Sequence, residues 1–155
     1  MTIKDLTDDE KQQIFRIIQE GKDDLFINEY TAYFDLEAEQ KVDEDGGEIG
    51  ASVVVDTRYF TVKITFYPNA IEMLRNHIEV FRQLVYHELA HAIIDPLHHL
   101  LGRFLDGQDV SLVEDYLIDE KWEQAVERVS RIAYFLRLET NLRKKLKAEI
   151  AEIIG

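Results

Sequence analysis

Residues 84–94 read LVYHELAHAII, an apolar stretch that carries two histidines and one glutamate. His87 and His91 are four residues apart, so on a helix their side chains project from the same side, about one turn apart. The residues that flank them are apolar nearly all round, as expected for a helix through the middle of a domain. The stretch therefore predicts a buried helix with both imidazoles on one face.

Two imidazoles on one helix face can bind the same tetrahedral cation. In sites of this kind the neighbouring glutamate, here Glu88, does not bind the metal. The metal makes its bound water more acidic, and the glutamate accepts a proton from that water. When a peptide bond is hydrolysed, the glutamate then transfers the proton to the amine that leaves. We therefore expect a zinc site at His87 and His91 with Glu88 as the general base, although cobalt, manganese and iron also suit such ligands.

Three segments before this helix have the alternating pattern of strands. Apolar and polar residues alternate over residues 30–38, and a second strand is predicted through residues 52–55 after an acidic turn at residues 43–47. A third strand is predicted over residues 59–67, where Pro68 ends it. Because the connections are short, we expect an antiparallel meander with one covered face.

Helices are predicted on both sides of these strands. Thr7 and Glu10 have the spacing of a capping box, which predicts a helix over residues 8–20. Asp95 and Pro96 are interpreted as a cap and the first residue of a new helix, and Ser111 to Glu114 as a second capping box. The helical segments after the strands are predicted near residues 78–94, 96–105, 112–138 and 141–154.

The length and these patterns predict one α+β domain over residues 1–155, with a small antiparallel sheet of about three strands followed by a helical half. The net charge of -13 repels polyphosphate, so neither nucleic acid nor an anionic membrane is expected as a partner. Without cysteine, a metal must be held by His, Asp or Glu, and a cytoplasmic location is expected. Residues 1–20 are polar and acidic, unlike a secretory signal or a membrane span.

A catalytic zinc site usually has three protein ligands and one open position. The metzincin pattern would need glycine at 94 and histidine at 97, where Ile94 and Leu97 stand. No histidine follows His99, which excludes patterns with a distant third histidine, such as that of SprT-like proteases. The third ligand is therefore His98, His99 or a downstream carboxylate. A kink at Pro96 could return His98 or His99 toward the metal, whereas an uninterrupted helix would place His98 about 10 Å from His91, too far to share it.

Among the carboxylates, Glu123 and Glu127 belong to the predicted long helix. Its inward face is defined by residues 122, 126, 129, 133 and 136, and Glu123 flanks that face by about 100° against about 140° for Glu127. Glu123 is therefore expected to lie nearer the interior. Both residues are also compatible with an ordinary solvated helix surface, where Glu127 would pair with Arg131.

The motif HELAH at residues 87–91, followed by EQAVE at residues 123–127, resembles the gluzincins, the thermolysin-like clan of metallopeptidases. Their second helix carries a glutamate ligand in a Glu-x-x-x-Asp pattern, where this chain has glutamate as the last residue. The resemblance implies Glu123 as the third ligand and Glu127 as an acceptor that orients a ligating imidazole. It covers about residues 59–135, and the small size also resembles zincin-like proteins of phages and mobile elements.

This resemblance implies a zinc metallopeptidase that acts on a peptide or protein substrate. The strand over residues 59–67 directly precedes the motif helix, where an edge strand of zincins binds an extended peptide, and it is equally compatible with an ordinary structural strand. An oxyanion donor is also needed, and the candidates are Tyr116, His98, His99, Arg131 and Tyr134. His77 is expected to be a surface residue or a helix cap.

Two alternatives remain open at this stage. One is a zincin-like metal-binding protein with a regulatory or structural role and little proteolysis, for which a sealed metal site would be typical. The other is a protease similar to the ImmA/IrrE-like family, which shares the first motif and acts on repressors. The sequence does not indicate the oligomeric state.

Overall fold

The computed structural model describes the backbone of residues 6–105 and 112–154, and the side chains of residues 6–96 and 120–149. A three-stranded sheet is followed by the helical half of the chain, so the α+β class is confirmed. The elements in chain order are α1 (Asp8–Asp24), β1 (Thr31–Leu36), β2 (Ala51–Asp56), β3 (Thr61–Phe66), α2 (Pro68–Asn76), α3 (Ile78–Leu105) and α4 (Leu112–Ile154).

The capping box at the start of α1 is confirmed. The Glu10 backbone N–H donates to Thr7 Oγ1 at 3.2 Å, and the Thr7 backbone N–H donates to Glu10 Oε2 at 2.7 Å. These bonds satisfy backbone donors that have no partner within the first turn. The helix continues to Asp24, one turn beyond the predicted end, with Ile14, Ile17 and Ile18 buried along one face.

The prediction of an antiparallel meander is wrong, because the strand order is β1-β3-β2. The central strand β3 pairs in parallel with β1 and antiparallel with β2, in the registers Thr31↔Thr61 and Ala51↔Phe66. The short β2–β3 connection keeps those strands antiparallel, whereas residues 37–50 form a long connection that lets β2 cross to the far side of β3. The central strand, β3, is also the strand whose inward face is the most deeply buried of the three.

Two helix boundaries also differ from the prediction. Pro68 begins α2 as well as ending β3, because its fixed φ and missing N–H suit the first helical position. The predicted break at Asp95 and Pro96 is wrong, since α3 runs through Pro96 to Leu105. Proline inside a helix costs about 3 kcal/mol, which the packing of α3 between α4 and the sheet must offset.

The last helix, α4, is a single 43-residue element with no break at residues 139–140. Neither Glu139 nor Thr140 disrupts a helix, and Glu139 pairs with Arg143 one turn later. Ser111, assigned to a capping box, lies outside the described residues. Within the described chain, no helix has a stretch that is long and apolar enough to cross a membrane.

The core is centred on α3, which contacts α1, α2, α4, β2 and β3. Phe81, Val85, Tyr86 and Leu89 of α3 are fully buried, so the prediction of a motif helix through the middle of the domain is confirmed. From the sheet, the side chains at positions 62, 64 and 66 of β3 pack into the same core.

A ring of charged side chains joins α1, α3 and α4 on the side of α3 that bears Tyr86. Arg137 of α4 contacts Glu20 at 3.0 Å and Asp24 at 2.9 Å, both on α1. Asp24 also accepts a hydrogen bond from the Tyr86 hydroxyl, and Glu20 pairs with Arg82 of α3. Because Tyr86 directly precedes His87, this ring holds α4 against the segment that carries the motif.

Candidate metal centre

His87, His91 and Glu123 lie close together, as predicted. The Nε2 atom of His87 is 3.5 Å from one carboxylate oxygen of Glu123, and the Nε2 atom of His91 is 3.7 Å from the other. One ligand atom from each of the three residues lies within 4.8 Å of the other two. Two imidazoles and a carboxylate at this spacing could hold a metal ion.

The position of Glu123 follows from the packing of α4. Val126 and Ala133 are buried against α3, and Trp122 and Val129 are partly buried, so this part of the inward face is confirmed. Leu136 was expected on the same face and is instead 58% exposed. The side chain of Glu123 flanks the packed face and is 60% exposed, against 26% for His87 and 14% for His91. The carboxylate therefore stands at the open side of the site.

Each imidazole is held from behind by a second carboxylate. His87 Nδ1 lies 3.1 Å from Glu127 Oε2, and His91 Nδ1 lies 2.9 Å from Asp95 Oδ1. A carboxylate acceptor places the proton of a neutral imidazole on Nδ1, which leaves the Nε2 lone pair directed at Glu123. Glu127 therefore has the contact expected of an orienting residue.

Asp95 is the residue of this site that sequence reasoning missed. It was interpreted as a helix cap, but α3 continues past it, so its side chain stays on the helix face that carries His91. The signal was present in the sequence, because Asp95 follows His91 by four residues, the same spacing that joins His87 to His91.

Glu88 is buried, with 6% of its surface exposed, directly beside the two histidines. Burial raises the pKa of its carboxyl group above the usual value, although the charges of His87 and His91 act in the opposite direction. A carboxylate whose pKa is raised in this way is a stronger base than an ordinary surface glutamate. Its environment therefore suits proton transfer.

The site opens into a cleft of about 830 Å³ between α3, α4 and the sheet. Its residues are Lys41, Asp43, Ile49, Ala51, Ser52, Val53, His87, Glu88, His91, Asp95, Trp122 and Glu123. The strand that lines the cleft is β2, at the edge of the sheet. Of the two interpretations of residues 59–67, the structural strand is confirmed and the peptide-binding edge is wrong, because β3 is paired on both sides.

The remaining candidates do not line this cleft, or their side chains are not described. Arg131 and Tyr134 line a separate pocket. Arg131 pairs there with Glu127, and the Tyr134 hydroxyl donates to Glu79 at 2.6 Å. The side chains of His98, His99 and Tyr116 lie outside the described part of the chain, and α3 is unbroken from His91 to His98. As expected, His77 is an exposed cap, at the end of α2.

Protonation of the histidines opposes metal binding. The hydrogen bond to Glu123, assisted by the charge of Glu88 and the hydrogen bond to Glu127, raises the pKa of His87 from 6.5 to about 9 against the effect of burial. Burial lowers the pKa of His91, but Asp95, Glu123 and Glu88 raise it above the usual value. Without a metal, His87 is therefore an imidazolium at neutral pH.

Replacing Asp95 by asparagine is expected to weaken zinc binding by about 10- to 100-fold, because the amide orients the His91 ring less strongly than a carboxylate does. Competition with a chromophoric chelator measures the affinity. Glu120→Gln is the control, since Glu120 is an exposed acid on α4 whose side chain contacts that of Gln124. Unchanged zinc affinity in Asp95→Asn would show that this hydrogen bond does not orient a ligand.

Zinc binding at pH 7 is expected to release at least about one proton, because the imidazolium of His87 must become neutral to bind. Titration calorimetry in two buffers of different ionisation enthalpy measures this release. The His77→Asn variant is expected to release the same number, since that exposed histidine lies outside the site. Zinc binding without proton release would contradict the elevated pKa of His87.

The same elevated pKa predicts how the stability of the metal-free protein depends on pH. Because the folded state raises the pKa of His87 from 6.5 to about 9, its stabilising contribution is complete below pH 6.5 and is lost as pH rises through 9. The free energy of unfolding should therefore decrease over that interval, as measured by urea denaturation. A His87→Gln variant should lack this part of the decrease.

Comparisons of the chain with protein-family models, with curated proteins and with solved structures gave no match. The resemblance to gluzincins consequently rests on the two sequence motifs. What the structure adds is the geometry of the site: His87, His91 and Glu123 form a group that could hold a metal ion, with Glu88 beside it and a cleft in front.

Proposed function

We propose that the protein is a zinc-dependent metallopeptidase that hydrolyses peptide bonds. The observation that carries this proposal is the grouping of His87, His91 and Glu123 within ligand distance of one another, with buried Glu88 lining the same cleft. Two imidazoles and one carboxylate are a donor set used by catalytic zinc, which leaves one coordination position for water or substrate. Zinc is therefore the metal that we infer for this site.

The chain supplies the groups that peptide hydrolysis needs. When bound, the zinc ion supplies Lewis acidity, which lowers the pKa of water and polarises a carbonyl group. Glu88 then accepts the proton of the attacking water and transfers it to the leaving amine. Glu127 and Asp95 keep the rings of His87 and His91 oriented, so that their Nε2 atoms stay directed toward the ligand group.

The openness of the site favours an enzyme over a purely structural metal protein. The Glu123 side chain is 60% exposed, and the cleft in front of the histidines has room for several residues of a peptide. A structural zinc site is usually closed by four protein ligands. The group formed by the described residues contains three, which leaves a position for chemistry.

The free edge of β2 supports a peptide as the substrate. The Tyr67 N–H donates to the Gly50 carbonyl at 3.0 Å, so Gly50 directs its backbone groups toward β3. In an antiparallel pair the direction alternates, so Ala51, Val53 and Val55 direct their N–H and C=O groups away from β3. Ala51 and Val53 line the metal cleft, where an extended peptide can pair with them as an added strand.

Substituting Glu88→Gln is expected to abolish hydrolysis while zinc binding is retained, because glutamine keeps the size of the side chain and cannot accept the proton. Loss of at least about 100-fold in kcat is expected for a general base. Cleavage of a fluorogenic peptide library measures activity, and metal analysis measures zinc content. Glu120→Gln is the matched control on α4 and should be fully active.

Cleavage that survives in Glu88→Gln would refute the assignment of Glu88 as the base. Wild-type protein with bound zinc and no activity on any library peptide would instead favour the regulatory alternative. Removal of zinc by a chelator should eliminate activity, and addition of zinc should restore it.

Substituting Val53→Pro is expected to lower kcat/KM by about 10-fold, because proline removes an outward N–H that is placed to bind substrate. The matched control is Val55→Pro, which removes the next outward N–H of β2 beyond the residues that line the cleft. Equal activity of the two variants would show that the β2 edge does not bind the substrate. Circular dichroism confirms that both variants fold.

A further inference from the structure

The second half of α4 extends beyond the body of the protein. Every side chain from residue 138 to residue 149 is exposed. The preceding residue, Arg137, contacts Glu20 and Asp24 of α1, and the Arg143–Glu139 pair beyond it lies within α4 itself. The end of α4 is therefore an arm that projects from the domain.

A row of large apolar side chains follows one face of α4 and continues along this arm. Ile132, Phe135, Leu142 and Leu146 are 61%, 63%, 66% and 57% exposed, respectively. Together with Glu139 they are spaced by three, four, three and four residues, which is the heptad repeat of a coiled coil. We call these five residues the heptad seam. Such spacing suits a second helix with the same heptad repeat. Two helices keep their apolar rows in contact along their length only if both rows have this period.

The heptad seam faces away from the core and from the metal cleft. It lies about 150° around the helix from Val126 and Ala133, which are buried against α3. The centre of the seam is also about 25 Å along α4 from Glu123. A helix bound to the seam therefore leaves the cleft open.

Charge on the arm selects the orientation of that second helix. Four cations, Arg143, Lys144, Lys145 and Lys147, occur with no acidic residue between positions 140 and 148, in a chain whose net charge is -13. A parallel pair of identical arms would bring the two cation clusters side by side. Like charges brought together across two helices repel each other, so a parallel arrangement is disfavoured.

An antiparallel pair relieves this repulsion. If Phe135 of one arm packs against Leu146 of the other, the centres of the two cation clusters are offset by about 13 Å along the helix axis, more than the Debye length of about 8 Å at physiological salt. The same register brings Glu139 of each arm next to Arg143 of the other arm. The dimer therefore contains two symmetric ion pairs. A polar residue in a seam commonly specifies register and orientation in this way.

We propose that two copies of this chain associate through the heptad seam as an antiparallel, two-helix coiled coil. The contact is short, so its affinity should be modest, because association must first offset the loss of translational and rotational freedom. Each copy contributes the same surface, as two-fold symmetry requires. The association needs neither the metal nor the proposed peptidase activity.

Sedimentation equilibrium of the full chain from about 1 to 500 µM tests the association. We expect reversible dimerisation in the wild type and at least a tenfold weaker association for Leu142→Glu/Leu146→Glu. The matched control is Asn141→Glu/Ala148→Glu, which adds the same two charges to the same turns on the opposite face of α4 and should dimerise. A monomeric wild type over the whole range, or equal weakening in both variants, would overturn the proposal.

Charge exchange tests the register. Glu139→Arg alone should weaken the dimer, because it places arginine against Arg143 of the second copy. The double exchange Glu139→Arg/Arg143→Glu should restore association, since it re-forms both ion pairs with reversed signs. Failure of the double variant to recover would exclude this register. All substituted positions are exposed, so the fold should be preserved, as circular dichroism can verify.

Cross-linking tests the orientation, because the chain contains no cysteine. A mixture of Phe135→Cys and Leu146→Cys chains should form a mixed disulfide under mild oxidation. Leu146→Cys alone should not cross-link, since the two positions are about 16 Å apart in the antiparallel pair. Efficient cross-linking of Leu146→Cys alone would indicate a parallel pair and contradict the proposal.

Discussion

The contact between α3 and α4 is the constraint on which the candidate metal centre depends. Two of the three ligand residues belong to α3, and the third, Glu123, reaches them only because α4 packs alongside. Apolar burial at Val126 and Ala133 drives this packing, and Arg137 adds direction by contacting Glu20 and Asp24. Hydrogen bonds to charged groups contribute about 1.5 to 3 kcal/mol each, so these contacts help to hold α4 against α1 beside the motif helix.

The electrostatics of the site also follow from that contact. Four carboxylates, those of Glu88, Asp95, Glu123 and Glu127, surround two imidazoles. Hydrogen bonds and negative charge from these carboxylates raise the pKa values of both histidines, and burial raises the pKa of Glu88. A divalent cation would replace those protons as the compensating charge. The acidic surroundings of the two imidazoles therefore favour a bound cation.

Local patterns predicted the parts of the fold that local forces control. The capping box at Thr7 depends on residues three apart, and α1 begins where it indicates. Predictions failed where packing outweighs local preference. Pro96 ordinarily ends a helix, yet α3 continues through it to Leu105. The strand order also depends on long-range packing. The central strand is β3, whose inward residues are the most deeply buried. No period within a strand encodes which neighbour it pairs with.

The sequence by itself determined His87, Glu88 and His91 as a unit, because residues on one helix have fixed relative positions and a spacing of four puts two side chains on one face. Glu123 was indicated by helix phase and family resemblance, but its distance from the histidines depends on how two helices pack. Only the tertiary structure decided that Asp95 orients His91 and that β2 lines the cleft. The physical reason is that helix continuation and strand order depend on burial over the whole domain. A short stretch of sequence does not show which distant residues will bury it.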